Sequence, residues 1–318
     1  MVLNRAICSI DSCNFMKATD MRQLSRRSFI QNSLIGAGVA ASPRLASATA
    51  LSAPKRVTDR VKLGQTGIQC SRLAIGTGTD GWMRQSEQTR LGQKNFTHLI
   101  RSYIDAGMNF IDLADIYGSH PYFKQVLKET PRDDLVILTK LWFAGGGGMP
   151  QTEYAKPAFE RFRNELGVDV IDVVLIHCVI DSGWIQHRER MRDELSELKD
   201  KGQVRAIGCS CHDFGALKAA SYDDWTDVIF ARINNQHINM DEGASVKQVA
   251  QTLKTARTNG KAVVGMKLFG CGALVKDEQR EATLQYVLGN NLVDAMTIGM
   301  VNEQQIFDNM ALINQSLV

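Results

Sequence analysis

Asp112, Tyr117, Lys140 and His177 are the residues of this 318-residue chain whose types and spacing could do chemistry together. Asp112 ends the apolar run Met108–Asp112, and a phenol, Tyr117, follows it within the stretch NFIDLADIYGSH. The run VILTK ends on Lys140 and VVLIH ends on His177. Parallel α/β folds put their chemistry where apolar strands end, so three such runs, each delivering a titratable group, predict one shared site. The chemistry they suit is acid–base proton transfer. A free tyrosine, with a pKa of about 10, is a poor acid near neutrality. A cationic Lys140 beside it is predicted to lower that value, and Asp112 to hold the lysine charged and aimed. His177 is expected to donate a hydrogen bond at the reacting group and extend the proton relay. Taken singly, Asp112 and Lys140 read as a buried ion pair and His177 as a satisfied core histidine.

The elements that must position these groups alternate along the chain. A small hairpin turning at Gln65-Thr66-Gly67 is predicted before the strand Arg72–Ile75. Phe96, Leu99, Ile100, Tyr103 and Ile104 fall at helical spacing, and Gly107 fits a helix stop. Further strands are predicted at Leu135–Lys140, Ile171–His177, Val204–Gly208, Val228–Ile233, Ala262–Met266 and Ala295–Ile298. Helices are read around Tyr122–Glu129, over the run with Phe159, Phe162 and Leu166, and over the run with Met191, Leu195 and Leu198. Three more are expected at Val246–Thr258, Glu278–Leu288 and Asn302–Leu312. Eight strands alternating with helices over about 258 residues predict a (β/α)₈ barrel preceded by a short hairpin. A doubly wound sheet is the alternative, but no G-x-G-x-x-G follows the first strand.

Composition and charge narrow the function classes. The formal charge of +3 is uneven: residues 1–57 carry eight Lys/Arg against two Asp/Glu, a balance of +6 that leaves −3 on the remainder. A mildly acidic body has no basic field for nucleic acid. The basic leader contains Ser25-Arg26-Arg27-Ser28-Phe29-Ile30, a twin-arginine pattern, then a weakly apolar run from Leu34 to Ala41 and small residues at Ala46–Ala50. These features predict a twin-arginine signal peptide and linker over 1–57, a barrel over 58–318, passage through the twin-arginine translocase, and residence in the periplasm or cell envelope. The apolar run falls short of the roughly 20 residues of a membrane span, so no stable span is expected. The cysteines that remain after such a leader are Cys70, Cys178, Cys209, Cys211 and Cys271, without disulfide-framework spacing.

FIDLADIYG, LTKLW and VVLIH, in this order, resemble the Asp–Tyr–Lys–His tetrad segments of the aldo-keto reductases, and Gly202–Ser210 (GQVRAIGCS) is similar to the family segment before its nicotinamide-binding serine. The resemblance runs from about Val61 to the C-terminus. It implies hydride transfer between NADP or NAD and an aldehyde, ketone or sugar, with Tyr117 as general acid for reduction and base for oxidation. It also implies that Ser210 binds the nicotinamide carboxamide, with Cys211 where Asn is usual, and Met266 where an aromatic usually stacks on the ring. Lys267, Leu268, Phe269, Gly270 and Gly272 resemble the pyrophosphate loop, whose glycines would let backbone N–H groups approach phosphate. Gln305 and Asn309 match adenosine-contacting positions, and Thr77 and Gly78 lie in the first-strand loop.

Several positions depart from that pattern. Gly299-Met300-Val301-Asn302 lacks the basic residue that usually grips a 2′-phosphate, which leaves NADP against NAD open. Arg232 stands near the usual glutamine of the sixth strand. The short run after the last helix predicts an open, shallow mouth, or one closed by another chain. Trp82 and Trp142 are expected pocket walls, and Gly145–Gly148 reads either as a hinge over substrate or as a flexible surface loop. A catalytically silent dinucleotide- or carbohydrate-binding barrel is the second reading. A metal-dependent barrel hydrolase, using Cys209, Cys211 and His212, is the third, although no resident metal is expected.

Overall fold

In the computed structural model, residues 55–317 are described. The leader expected over 1–57 therefore lies almost entirely outside the described residues. The strands are β1 (Arg60–Lys62), β2 (Gln69–Ser71), β3 (Leu73–Gly76), β4 (Phe110–Asp112), β5 (Val136–Leu141), β6 (Ala144–Gly146), β7 (Met149–Gln151), β8 (Ile171–Val179), β9 (Val204–Cys211), β10 (Val228–Arg232), β11 (Ala262–Met266) and β12 (Ala295–Gly299). Among the described residues, β3, β4, β5, β8, β9, β10, β11 and β12 close into one barrel in that order, every pairing parallel. This is the predicted (β/α)₈ barrel.

The alternation of side chains along each strand divides the core in two. Ala74, Phe110, Leu138, Val173, Leu175, Ala206, Val228, Phe230, Val264 and Ala295 pack inside the barrel, together with Leu63, Ile68 and Cys70 of the β1–β2 hairpin. Ile75, Ile111, Ile137, Val174, Ile207, Cys209, Ile229, Val263 and Met296 take the opposite parity and meet the helices. The hairpin thus contributes side chains to the interior at the end where the strands start. Tyr103, fully buried on helix Gly92–Asp105, ties that helix to the barrel by donating to the carbonyls of Leu73 (2.6 Å) and Phe110 (2.8 Å).

Most predicted helices form with small boundary shifts. Gly167, at φ +75 in the left-handed region that favours glycine, ends Lys156–Leu166. One helix went unread: Phe214–Tyr222, capped by Asp213, whose carboxylate accepts from the Ala216 N–H at 2.9 Å. The four-glycine stretch is also more ordered than either expectation. Ala144–Gly146 and Met149–Gln151 pair antiparallel with Gly146 opposite Met149, so Gly147-Gly148 is a two-residue turn. Both turn residues have positive φ, +58 and +77, as a twist-matched hairpin turn requires. No helix among the described residues is long and apolar enough to cross a membrane.

Candidate active site

Strand parity decides which side chains reach the mouth of the barrel. Counting in twos from the interior residues leads from Phe110 to Asp112, from Leu138 to Lys140 and from Leu175 to His177. The same count leads from Ala206 to Ser210, from Phe230 to Arg232, from Val264 to Met266 and from Ala295 to Thr297. All lie at carboxyl-terminal strand ends. With the exception of Arg232 they line a cavity of about 290 Å³, which Gly78, Trp82, Tyr117, Trp142, His212, Lys267, Leu268 and Phe269 complete.

Tyr117 reaches the cavity from the 3₁₀ turn Asp115–Tyr117, closed by Gly118 in the left-handed region. Its phenol oxygen lies 3.5 Å from Lys140 Nζ and 3.4 Å from His177 Nε2. Lys140 forms a short ion pair with Asp112 Oδ1 and also donates to the Leu113 carbonyl at 3.2 Å. The other Asp112 oxygen accepts from Thr297 Oγ1 at 2.8 Å. The tetrad read from sequence is therefore one contiguous group.

The electrostatics differ from expectation in one respect. Burial, reinforced by Asp112, Cys178 and Asp115, pushes the Tyr117 phenol well above 10. Lys140 touches it, but Asp112 neutralises the lysine, and burial pulls the Lys140 pKa down. A paired cation offers little net field, so the predicted lowering of the phenol pKa is not found. Burial, with the charge of Lys140, also holds His177 well below its ordinary value and therefore neutral. His177 Nδ1 is buried with no hydrogen-bond partner among the described residues.

Asp115, the second acid of the motif, is structural. Its carboxylate accepts from the Trp142 N–H through both oxygens, at 3.1 Å each, and from Arg161 at 3.2 Å. Burial pushes it up to about 6 against those bonds. Trp142 is thereby fixed edge-on to Trp82, ring centroids 5.5 Å apart, and its indole N–H donates to the Gly145 carbonyl at 2.8 Å. Both tryptophans line the cavity.

The expected cofactor residues divide. Ser210 lies inside, and its Oγ accepts from the Cys178 N–H at 2.8 Å while its own proton has no acceptor among the described residues. Gly78, Met266, Lys267, Leu268 and Phe269 line the cavity. Cys211 does not: strand alternation turns it toward the helices, fully buried, with its sulfur 3.6 Å from that of Cys209. His212 takes the polar position instead. Thr77 faces outward too, its hydroxyl donating to the Asp112 carbonyl at 2.9 Å and lying 3.0 Å from Ser119 Oγ. The Gly270 and Gly272 amides donate within their own loop, to the carbonyls of Lys267 (2.9 Å) and Phe269 (3.1 Å). Gln305 Oε1 accepts from the Val301 N–H and the Gln305 carbonyl accepts from Asn309 Nδ2, both at 2.8 Å, and neither residue lines the cavity. Sequence reading passed over Thr297, Phe230 and the interior position of His212, all three visible by counting strand parity. Among the described residues no group of three or more His, Cys, Asp or Glu side chains is arranged to hold a metal.

Comparison with known proteins bears on this geometry. The model of the aldo/keto reductase family matches residues 72–286. The chain belongs to the aldo/keto reductase family. It is 32% identical over 161 residues to "Probable aldo-keto reductase 1" of Glycine max, covering 47% of this chain and 44% of that protein. It is 30% identical over 166 residues to the 6-dehydroglucose reductase of Novosphingobium aromaticivorans, covering 47% and 50%. The chain thus spans about half the length of the curated relatives it matches. An aldo-keto reductase of Bacillus halodurans, solved in its holo form, superposes over 81% of this chain and 94% of its own with a TM-score of 0.64 at 17% identity, a likeness of fold.

The site of this aldo/keto reductase fits the nicotinamide end of a dinucleotide. Ser210 offers a hydroxyl proton, Met266 a flat apolar side, and the Lys267 ammonium has no hydrogen bond or ion pair among the described residues while lining the cavity. A cation left unpaired at a cavity wall suits an anionic ligand group.

Proposed function

We propose that this aldo/keto reductase transfers hydride reversibly between a nicotinamide dinucleotide and an aldehyde, ketone or sugar, with Tyr117 as the general acid in reduction. The observation that carries the reading is the phenol oxygen lying within 3.5 Å of both Lys140 Nζ and His177 Nε2 on a cavity wall. When bound, the dinucleotide supplies or accepts the hydride. The proton steps belong to this chain. In reduction Tyr117 gives its proton to the carbonyl oxygen, and the adjacent Lys140 stabilises the phenolate left behind. Neutral His177 is a hydrogen-bonding group for the same oxygen, and Asp112, anchored by Thr297, keeps Lys140 in place. Trp82 and Trp142 form an apolar wall that excludes water from the reacting groups. The 6-dehydroglucose reductase relative supports a sugar-like carbonyl as one substrate class.

Gly299–Asn302 carries no cation, and the Asn302 side chain is committed to capping helix Glu303–Ser316, which supports NAD(H) over NADP(H). The reading extends to the leader. Residues 1–57 direct folded protein through the twin-arginine translocase, the dinucleotide being loaded before export and recycled in place by coupled oxidation and reduction. Its support is the Ser25–Ile30 pattern and the basic charge of that segment. Protein recovered from the cell envelope without any retained dinucleotide would sink the loading step.

The deciding experiment titrates NADH and NADPH into the full chain by fluorescence, beside Tyr117→Phe, followed by turnover on aldehydes and keto-sugars. Both proteins are expected to bind, and the variant to reduce about 10²–10⁴-fold more slowly, the usual worth of a general acid. Failure of the wild type to bind either dinucleotide would falsify the reading.

A further inference from the structure

Cys211 turns away from the cavity, yet the position that parity selects after Ser210 is not apolar. It is His212, whose ring lines the cavity and lies edge-on to His177 with centroids 6.5 Å apart. Behind it stands Arg232, 6% exposed, at the end of β10. Arg232 Nη2 lies 2.6 Å from His212 Nδ1. A guanidinium carries only donors and is not deprotonated in proteins. His212 Nδ1 must therefore be the acceptor, which leaves the ring neutral with its proton on Nε2. Burial, with the charges of Arg232, Lys267 and Lys140, holds the ring well below its ordinary pKa, in keeping with that state.

Arg232 is itself held from behind. Asp241, 1% exposed, places Oδ1 at 3.6 Å from Arg232 Nε, and the two form a buried ion pair. The Arg232–His212 contact thus fixes one tautomer and presents one N–H, while Asp241 supplies a charge contact to Arg232 without a hydrogen bond. His212 Nε2 has no partner among the described residues. Ser210, two residues earlier and also inside the barrel, has an O–H without an acceptor among the described residues. Two uncharged donors, two residues apart on the same face and both lining the cavity, suit an uncharged oxygen acceptor.

We propose that His212, locked by Arg232 as the Nε2–H tautomer, is a binding residue that donates, together with Ser210, to a neutral carbonyl-type oxygen of the molecule bound in the cavity. The inference rests on the reductase reading. That oxygen belongs either to the amide of the dinucleotide or to the carbonyl substrate. Arg232 acts through His212 and is a positioning residue.

Tryptophan-fluorescence titrations of the full chain with NAD⁺ and with 3-methylpyridine adenine dinucleotide, in which a methyl replaces the amide, separate the two sources. If the acceptor is the amide, His212→Phe weakens NAD⁺ by roughly fivefold, the size of one net hydrogen bond, and leaves the analogue unchanged, while His212→Asn recovers part of the loss. If the acceptor is on the substrate, both dinucleotides keep their affinity and KM for the carbonyl substrate rises by a similar factor at unchanged kcat. Equal losses for both dinucleotides, or no change in any of these quantities, overturn the proposal. ¹⁵N NMR of the imidazoles tests the tautomer independently of turnover. The wild type is expected to show an acceptor Nδ1 and a protonated Nε2 at His212. The Arg232→Met/Asp241→Asn variant, which removes both buried charges, is expected to lose that assignment. A protonated Nδ1 in the wild type overturns the proposal. A wild type that binds no dinucleotide counts against the reductase reading instead, and the NMR result then still decides the tautomer.

Discussion

In the proposed reduction Tyr117 acts as the acid, a role that needs the phenol protonated. A phenol held well above 10 keeps its proton across neutrality, and only strongly alkaline solution removes it. Reduction needs the phenol and oxidation needs the phenolate. Measured at saturating dinucleotide, kcat/KM for reduction is therefore expected to stay level from pH 6 to 9, whereas kcat/KM for oxidation climbs over the same range. A reduction rate that falls steeply above pH 7 would show that Lys140 lowers the phenol after all. The residue scale also explains why the tetrad tolerates burial. Asp112 and Lys140 compensate each other, and Thr297 satisfies the remaining carboxylate oxygen. Removing one partner alone would leave an uncompensated buried charge, at a cost of about 3–5 kcal/mol.

At the scale of elements, the β3 loop and the turn Asp115–Tyr117 pack face to face. A Cβ added to Gly78 would overlap the Tyr117 ring, and one added to Gly81 would also strike it. Gly78→Ala therefore displaces the phenol without touching the barrel. Thermal melting is expected to shift by no more than a few degrees, while kcat/KM for reduction falls on the order of a hundredfold, as misplacing a reacting group by about 1 Å can do. Unchanged turnover would mean that the loop, not the ring, gives way. The β6–β7 hairpin acts from the other side, where a Cβ on Gly147 would come within 2.9 Å of Ile116 and 3.2 Å of Trp82. These glycines are packing devices as much as turn formers, which runs of four glycines in a sequence do not reveal.

Across the whole molecule, one polar network links the mouth to the helical layer. Glu165 accepts from His120 Nδ1 at 2.9 Å and from Arg84 at 2.6 Å, and His120 Nε2 meets Thr139 Oγ1 at 2.7 Å on β5. Burial alone would raise the Glu165 pKa, but the hydrogen bonds from His120 and Arg84 and the charge of Arg84 outweigh it and bring it down to about 2. A carboxylate depressed in the folded state stabilises fully above its unfolded value, about 4.5, and the contribution is lost as pH falls from there toward 2. From a shift of that size the contribution is on the order of 3 kcal/mol. Urea unfolding of the wild type and Glu165→Gln at pH 7, 4 and 3 is the check. The variant is expected to be less stable at pH 7, and the gap to narrow as the solution is acidified. A gap that holds constant with pH would assign the loss to shape rather than charge.

The sequence by itself determined the barrel and the tetrad, because both rest on local rules. Apolar runs with period two, separated by helical runs and stops such as Gly167, admit few folds. Asp112, Lys140 and His177 each end such a run, so their convergence follows from parallel strands sharing one open end. Helix Phe214–Tyr222 escaped because its alanine-rich sequence shows little apolar periodicity, and because β9 extends through Cys211, beyond the Gly208 end that was read. The tertiary structure alone decided what depends on neighbours distant in sequence. That β9 continues to Cys211 is one such outcome, and strand parity from Ala206 then turns Cys211 to the helices and His212 to the cavity. The Gly270 and Gly272 amides are satisfied inside their own loop. The phenol of Tyr117 rises rather than falls, because burial and the Asp112–Lys140 pairing act together only once the barrel has closed around them.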